Sequence, residues 1–155
     1  MNFIGIDPSL TCTGIICLNE KGEIEGQELI KTKSSDDDEF RIVYIWDKIY
    51  NFINKYESEK CLISIEGISY GSRNNPVIKA KLSGLHYYIR ICLKNLKKSF
   101  EIIPPKTLKK FILKGNMKKE LILLIVYKRW GVSFDDNNLA DSYGLARKIF
   151  EDYHE

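Results

Sequence analysis

The hydrophobic pattern at the start of the chain is that of short strands. Residues 3–6 and 15–16 are apolar runs on either side of a turn, and residues 23–30 alternate loosely after the turn at Lys21 and Gly22. Runs of this length bounded by turn residues are typical of β-strands joined as hairpins. We predict an antiparallel meander of three strands over roughly the first 30 residues.

A helical pattern follows the polar segment 31–38. We predict that this helix is capped by Asp36, with Glu39 three residues later in the capping-box position. Its side chains recur at helical spacing, which predicts one broad apolar face against a sheet. That face comprises Ile42, Ile45, Trp46, Ile49, Phe52, Ile53 and Tyr56.

The middle of the chain alternates strands with helices. Residues 61–65 (CLISI) and 100–103 are strand-like, and the second run ends at Pro104 and Pro105. A helix is predicted from Pro76, a short basic helix or turn over 106–114, and a further helix over 117–130. The predicted inward side chains are Ile78, Leu82, Leu85, Ile89, Cys92 and Leu96 in the first of these, and Leu121, Leu124, Ile125 and Tyr127 in the last.

These elements predict an α/β fold. A last helix is expected from about Leu139, with Asp135, Asp136 or Asn137 as its N-cap. A strand reached through a helix is parallel to its predecessor by the right-handed crossover rule. The prediction is one domain over residues 1–155, with a mixed five-stranded sheet of three antiparallel strands plus parallel strands, flanked by helices.

Three acids stand at the ends of predicted elements. Asp7 follows the first strand, Glu66 follows the strand at 61–65, and Asp141 lies in the first turns of the last helix. Because the first and fourth strands are predicted to be parallel neighbours, Asp7 and Glu66 would lie side by side at one sheet edge. Each acid alone also fits a simpler role, such as turn initiation by Asp7 or a cap on an exposed strand end by Glu66.

A gathered set of carboxylates points to metal chemistry. Carboxylates repel one another unless cations neutralise them, and two divalent ions about 3.5–4 Å apart are the usual arrangement for phosphodiester hydrolysis. Oxygen ligands suit Mg²⁺ or Mn²⁺, and the two histidines, His86 and His154, leave little for other metals. Asn138 lies three residues before Asp141, on the same helix face if the helix has begun.

The net charge of +3 conceals an uneven distribution. From Arg73 to Arg129 there are 15 Lys or Arg against two acids, Glu101 and Glu120, whereas the rest of the chain holds 9 basic and 19 acidic residues. Such segregation favours a polyanionic partner. Nucleic acid is favoured over an anionic membrane, because no basic amphipathic helix stands apart from the core.

Two features of this segment suit nucleic acid. The helix start near Lys118 and Lys119 offers backbone amides and two cations to a phosphate, with ordinary solvated lysines as the alternative. Tyr70 and Arg73 lie in the polar loop after Glu66, where Tyr70 could stack on an exposed base or pack against the next helix.

Cysteine usage and hydropathy bear on the compartment. Cys12, Cys17, Cys61 and Cys92 show no CxxC spacing, so we expect reduced thiols that pack as small hydrophobes. Neither a signal segment nor an apolar run of roughly 18 residues occurs. We expect a soluble, cytoplasmic protein with no membrane partner and no small-molecule cofactor.

The chain resembles a known family in several segments. IGIDPSLTCTGI, ISIEG, IIPPKTLKKFI, NMKKELI and NLADSYGLA occur in the order and spacing of RuvC-type Holliday junction resolvases. The resemblance spans nearly the whole chain and is greatest to the small bacteriophage members, which act in the host cytoplasm. It implies a ribonuclease H-like fold, a homodimer, and metal-dependent symmetric nicking of branched DNA.

The resemblance also assigns residues. The family's carboxylate positions fall on Asp7, Glu66 and Asp141, and a further acid position falls on Asn138. Its basic positions near the scissile phosphate fall on Lys109 and Lys118, and its stacking aromatic is approximated by Tyr70, one place after the matching Ser69. With the basic segment, the expected DNA contacts are Tyr70, Arg73, Lys79, Lys106, Lys109, Lys110, Lys118 and Lys119.

Two positions depart from the family pattern. Ser9 stands in place of the glycine usual after Asp-Pro, a small change. Asn138 matters more, because an amide oxygen can coordinate a metal but brings no charge and cannot act as a base. Either Asp135 or Asp136 substitutes, or the enzyme tolerates the amide, or cleavage is weakened or lost.

The sequence therefore predicts a metal-dependent endodeoxyribonuclease that cuts four-way and other branched DNA. One alternative is a junction-binding protein whose cleavage is weak or lost through Asn138. A second is an ATPase of the actin and sugar-kinase type, because the hairpin DPSLTCTG also resembles a phosphate-binding turn. Proteins of that type need two such domains, for which 155 residues are too few.

Overall fold

The strands of this computed structural model form one mixed sheet. The structure describes residues 1–69, 75–113, 118 and 121–155. Within them the strand order across the sheet is β3-β2-β1-β4-β5. The strands are β1 (Asn2–Asp7), β2 (Cys12–Leu18), β3 (Ile24–Lys31), β4 (Cys61–Glu66) and β5 (Phe100–Ile103).

Pairing directions match the predicted topology. β1 runs antiparallel to β2, and β2 antiparallel to β3, so the meander is confirmed. β1 is parallel to β4, and β4 to β5, because each connection passes through a helix. The predicted fold class, three antiparallel strands plus parallel strands in a five-stranded sheet, is confirmed.

Helices cover both faces of the sheet. They are α1 (Asp38–Tyr56), α2 (Pro76–Asn95), α3 (Pro105–Leu113), α4 (Ile122–Trp130) and α5 (Asn137–His154). Ile4, Ile6, Ile63 and Ile65 point to the α1 and α2 side, whereas Phe3 and Ile16 point to the α5 side. None of the helices in the described ranges is long and apolar enough to cross a membrane.

Two glycines let α5 lie directly on the sheet. A Cβ built on Gly5 would stand 2.6 Å from the backbone N of Ala146, and one on Gly14 would stand 2.8 Å from the backbone C of Asn138. Real Cβ atoms do not approach backbone so closely. The absence of side chains at these positions therefore fixes the height of α5 above β1 and β2.

Two predicted helix details are wrong at α1 and α2. Asp37, and not Asp36, caps α1: its side chain accepts from the N–H of Phe40, whereas Asp36 accepts from Lys33 in the preceding turn. Three consecutive Asp residues have equal capping propensity, so the sequence leaves the start undetermined by one residue. Ile78 of α2 and its C-cap Leu96 are exposed, while Leu85, His86, Ile89 and Leu93 are buried, because the second half of α2 is the part that packs on the core.

The predicted inward face of α4 is wrong at three of its four positions, whereas Ile125 packs against the core as predicted. Ile122 and Val126 are buried, whereas Leu121, Leu124 and Tyr127 are exposed. The segment LILLIVY is apolar at every position, so helical spacing does not select a face, and one residue of error turns it by about 100°. The C-terminal helix meets expectation better, since it begins at Asn137 with Asp136 as its N-cap.

All four cysteines are free thiols, as predicted. Burial is the main cause that raises the pKa of the Cys17 thiol to about 12 and that of Cys61 to about 11. Both therefore stay protonated and pack as apolar side chains.

We expect Gly5→Ala to lower the free energy of unfolding by about 1–3 kcal/mol or more, because a methyl group would force α5 off the sheet. Urea denaturation measures this. Gly84→Ala is the matched control, since Gly84 is an exposed position in α2 whose added Cβ would meet its nearest atom, Ile42 Cδ1, at 3.7 Å. That variant should gain up to about 1 kcal/mol from helix propensity. Equal stability for the two variants would contradict the close packing of α5.

Candidate functional site

Asp7 and Glu66 lie at the ends of neighbouring parallel strands. Each directly follows the last residue pair between β1 and β4, Ile6 with Ile65. Side chains alternate along a strand, so Asp7 shares the face of Phe3 with α5. Glu66 occupies the matching place on β4 and shares that face. The two acids are thus adjacent on the α5 side of the sheet edge.

Asp141 reaches the same edge from α5, the helix that packs on this face of the sheet. It lies in the second turn of α5, which is seated on β1 and β2 through the two glycines. Asp141 and Glu66 line one cavity of about 140 Å³, together with Lys109 of α3. The remaining walls of the cavity are apolar: Pro105, Leu108, Ile112, Leu113 and Ile122.

The three acids differ in how exposed their side chains are. Asp7 and Asp141 are each 8 % exposed, whereas Glu66 is half-buried. Among the described residues, no three carboxylate, imidazole or thiol side chains are grouped closely enough to hold an ion. The fold therefore brings the three acids to one sheet edge but not into a single three-ligand cluster.

Asn138 lies beside the amino-terminal turn of β2. Its backbone packs on Gly14, and its carbonyl accepts from Ser142 Oγ at 2.6 Å. Its side chain lies close enough to Cys12 to lower the pKa of that thiol, and Cys12 in turn feels the charge of Asp7. Burial is the main cause that raises the pKa of the Cys12 thiol, and the Asp136 carboxylate is the second. Asn138 is thus placed next to Asp7, but with a neutral thiol as a neighbour.

Asp135 and Asp136 differ in what they can contribute. The Asp136 carboxylate caps α5 by accepting from the N–H of Asn138 at 2.7 Å, and it is half-buried. Asp135 is exposed in the preceding loop. Asp136 therefore brings negative charge near Cys12 and Asn138, although one of its oxygens is engaged by the cap.

Hydrogen bonds hold the turn after Asp7. Thr13 Oγ1 donates to the Ser9 carbonyl at 2.6 Å and accepts from the Ser9 N–H at 3.0 Å. The Ser9 hydroxyl accepts from the N–H groups of Thr11 and Cys12 at 3.3 Å. Ser9 thus stabilises the turn through its side chain, which the glycine usual at this position could not do.

His86 approaches Glu66 from the opposite face of the sheet. It lies in α2, is 2 % exposed, and places its Nε2 2.9 Å from the main-chain carbonyl oxygen of Glu66. Burial is the main cause that lowers the pKa of the imidazole, with the Arg90 guanidinium acting in the same direction. The ring is therefore neutral near pH 7.

Five of the eight predicted DNA contacts lie in described parts of the chain, and of these Lys109 lines the cavity beside Glu66 and Asp141. Lys106, Lys109 and Lys110 are exposed on α3, and Lys118 is exposed before α4. Lys79 is half-buried in the first turns of α2. Three further predicted contacts, Tyr70, Arg73 and Lys119, lie outside the described residues.

Sequence reasoning missed two residues next to the site. Cys12 looked like a small hydrophobe, and His86 was considered as a metal ligand and set aside. Cys12 had a weak signal, since it lies five residues after Asp7 in the same hairpin. His86 had none, because its contact with Glu66 spans 20 residues and depends on how α2 packs.

Comparison with known proteins gives a clear result for the fold. No protein-family model matches the sequence, and no curated protein matches it. A solved structure of Thermus thermophilus RuvC in complex with Holliday junction substrate matches with a TM-score of 0.80 and 18 % identity, over 99 % of this chain and 96 % of that one.

Two further solved structures are similar. The Fowlpox virus resolvase in complex with Holliday junction DNA matches with a TM-score of 0.60 and 13 % identity, over 100 % of both chains. The yeast mitochondrial Holliday junction resolvase matches with a TM-score of 0.58 and 14 % identity, over 97 % of this chain and 83 % of that one. The chain therefore has the ribonuclease H-like fold of the RuvC-type resolvases.

Proposed function

We propose that this protein is a metal-dependent endonuclease that binds and nicks Holliday junctions and other branched DNA. The observation that carries the proposal is that Asp7, Glu66 and Asp141 all lie at one edge of the sheet. Two of these acids end parallel neighbouring strands, and the third lies on the helix packed over them. The fold that holds them is shared over almost the full length of RuvC in complex with junction DNA.

The donor set suits a hard divalent ion. Asp7, Glu66 and Asp141 would bind it through carboxylate oxygens, and Asn138 through its amide oxygen, which favours Mg²⁺ or Mn²⁺. Asp7 and Asp141 are both buried at the edge where Glu66 also ends its strand, so their oxygens are held by the fold. We propose two ions per site; bound divalent ions supply an activated water and stabilise the leaving oxygen.

The chain's own lysines would hold the substrate. Lys109 lines the cavity shared by Glu66 and Asp141, so its ammonium would bind the phosphate next to the cut. It would also offset the repulsion between carboxylates and DNA. Lys79, Lys106, Lys110 and Lys118 would bind flanking phosphates, and Tyr70, Arg73 and Lys119 are proposed as further DNA contacts from the sequence.

The protein is proposed to act as a homodimer. Lys81 Nζ lies 2.9 Å from Asp38 Oδ2 and joins α2 to α1, and beside this ion pair both helices expose large apolar side chains. A second copy would cover them, and a two-fold dimer would match the symmetry of a four-way junction. We define the exposed apolar surface as Phe40, Val43, Tyr44, Val77, Tyr87 and Ile91.

The four free thiols bear on the cellular setting. The free thiols suit a reducing compartment such as the cytoplasm. The resemblance to bacteriophage members stays a prediction, since the similar structures come from a bacterium, a poxvirus and yeast.

One observation favours a second candidate, a junction-binding protein with weak or lost cleavage. The position that is acidic in the family holds Asn138, a neutral amide. The site then carries one negative charge fewer and would bind its ions less tightly.

Incubation with a labelled four-way junction and Mg²⁺ or Mn²⁺ tests the proposal. We expect symmetric nicks that require the metal. Glu66→Gln should reduce the rate by roughly a thousandfold, because several kcal/mol of metal-dependent stabilisation is lost, while junction binding persists. Glu101→Gln, an exposed acid on β5, is the matched control and should cut normally. Binding without nicks under every metal condition would favour the second candidate instead.

Asn138→Asp should raise the cleavage rate at limiting metal severalfold, because it adds a charged ligand beside Asp7. The measurement is the rate as a function of Mg²⁺ concentration. Asn137→Asp adds the same charge one residue earlier, at an exposed position, and should leave the curve unchanged. Identical curves for both variants would remove Asn138 from the site.

Light scattering should give the mass of two chains for the wild-type protein. Ile91→Glu should give a monomer, because a buried charge on the exposed apolar surface disfavours association. Leu124→Glu is the control, since Leu124 is an aliphatic residue on α4 with 47 % exposure, close to the 56 % of Ile91. A monomeric wild-type mass, even with junction bound, would contradict the dimer.

A further inference from the structure

The hydrogen-bond ladder between β1 and β4 stops at a proline. The N–H of Asn2 donates to the carbonyl of Lys60 at 3.0 Å, and the parallel register then runs without a shift. Alternate residues of a parallel strand bond to a given neighbour, so the even-numbered residues of β1 face β4. The next donor in this series is residue 8, and its acceptor is the carbonyl of Glu66. Pro8 has no N–H to donate.

His86 supplies the missing donor from α2. Its Nε2 lies 2.9 Å from the Glu66 carbonyl oxygen. A carbonyl only accepts, so Nε2 carries the proton and the Nδ1 of the neutral ring is a lone pair. The Nδ1 is buried and finds no hydrogen-bond partner within the described ranges. A buried polar atom without a hydrogen-bond partner is rare in folded proteins and requires an explanation. Here the explanation is the hydrogen bond from Nε2 to Glu66, which places the proton on Nε2 and leaves Nδ1 without one.

The backbone around Glu66 is thereby held from two sides. Toward β5, the N–H of Gly67 donates to the carbonyl of Ile103 at 2.8 Å. Toward β1, where Pro8 ends the ladder, the hydrogen bond from His86 takes over. Without it the Glu66 carbonyl would lose the one donor that the described residues offer it, and the strand end could move away from Asp7.

We propose that His86 is a positioning residue, which fixes the end of β4 so that the Glu66 carboxylate stays in register with Asp7. The proposal rests on the proposed function of Glu66 as a metal ligand. His86 itself touches neither metal nor DNA; it acts through the main chain of Glu66. Misplacement of a reacting group by about 1 Å costs up to roughly a hundredfold in rate, which sets the size of the effect.

Single-turnover cleavage of a four-way junction by saturating protein tests this role. We expect His86→Leu to lower the cleavage rate constant by roughly ten- to a hundredfold, with the junction Kd unchanged within about twofold. His86→Gln should recover most of the rate, because its amide nitrogen keeps a donor near the position of Nε2. Mn²⁺ affinity, measured by calorimetry on the protein alone, should fall in His86→Leu and recover in His86→Gln.

Ile89→Val separates positioning from general stability. Ile89 is buried on the same helix and is not bonded to Glu66, so this variant should lower Tm without changing the cleavage rate constant. If His86→Leu and Ile89→Val lower the rate equally, or if Gln and Leu at position 86 behave alike, the positioning role is wrong.

The imidazole tautomer gives a readout that does not depend on cleavage. In the folded wild-type protein, the ¹⁵N chemical shifts of the ring should show the proton on Nε2, and the Glu66 carbonyl ¹³C shift should change in His86→Leu. A proton on Nδ1 would overturn the proposal even if the protein cuts junctions. Wild-type protein that cuts nothing but shows the Nε2 proton would contradict the proposed function and leave the bond to Glu66 standing.

Discussion

The close approach of α5 to β1 and β2 is the contact on which the rest of the structure depends. At Gly5 and Gly14 the helix backbone lies where a side chain would otherwise be. Because the backbone of α5 contacts the backbone of the strands directly, the helix has almost no freedom to change its height or to rotate. A layer of flexible side chains would allow both. The positions of Asn138 and Asp141 relative to the end of β1 are therefore set by the main chain. The polar residues of α5 are therefore held in position by the packing of the helix itself.

The two faces of the sheet contribute differently to the site. The α5 face carries the acids, and the cavity beside them has apolar walls from α3 and α4. Low-dielectric surroundings strengthen each charge interaction and make an uncompensated carboxylate more costly. The α1 and α2 face is packed by isoleucine and leucine, and it contributes through the main chain at His86. Carboxylates and their backbone support thus come from opposite layers.

Much of this arrangement follows from local pattern. Apolar runs, turns and the crossover rule are enough to predict the sheet. Because Asp7 and Glu66 end neighbouring strands, their adjacency follows from the strand order and does not depend on side-chain packing. Prediction fails where several residues are equivalent: three Asp residues could cap α1, and every position of LILLIVY could face inward. Packing between distant segments decides such cases. Packing also determines the roles of Cys12 and His86. The spatial neighbours of these two residues either lie far away in the sequence or are not marked by any sequence pattern.

Placing the site between the first and last elements has a consequence for folding. The hairpins of β1, β2 and β3 are local and can form early, whereas α5 must return across more than a hundred residues to reach β1. Until α5 docks, Asp7 stands on an incomplete sheet with the apolar residues Phe3 and Ile16 uncovered. Completion of the core and assembly of the acidic edge are thus one folding event.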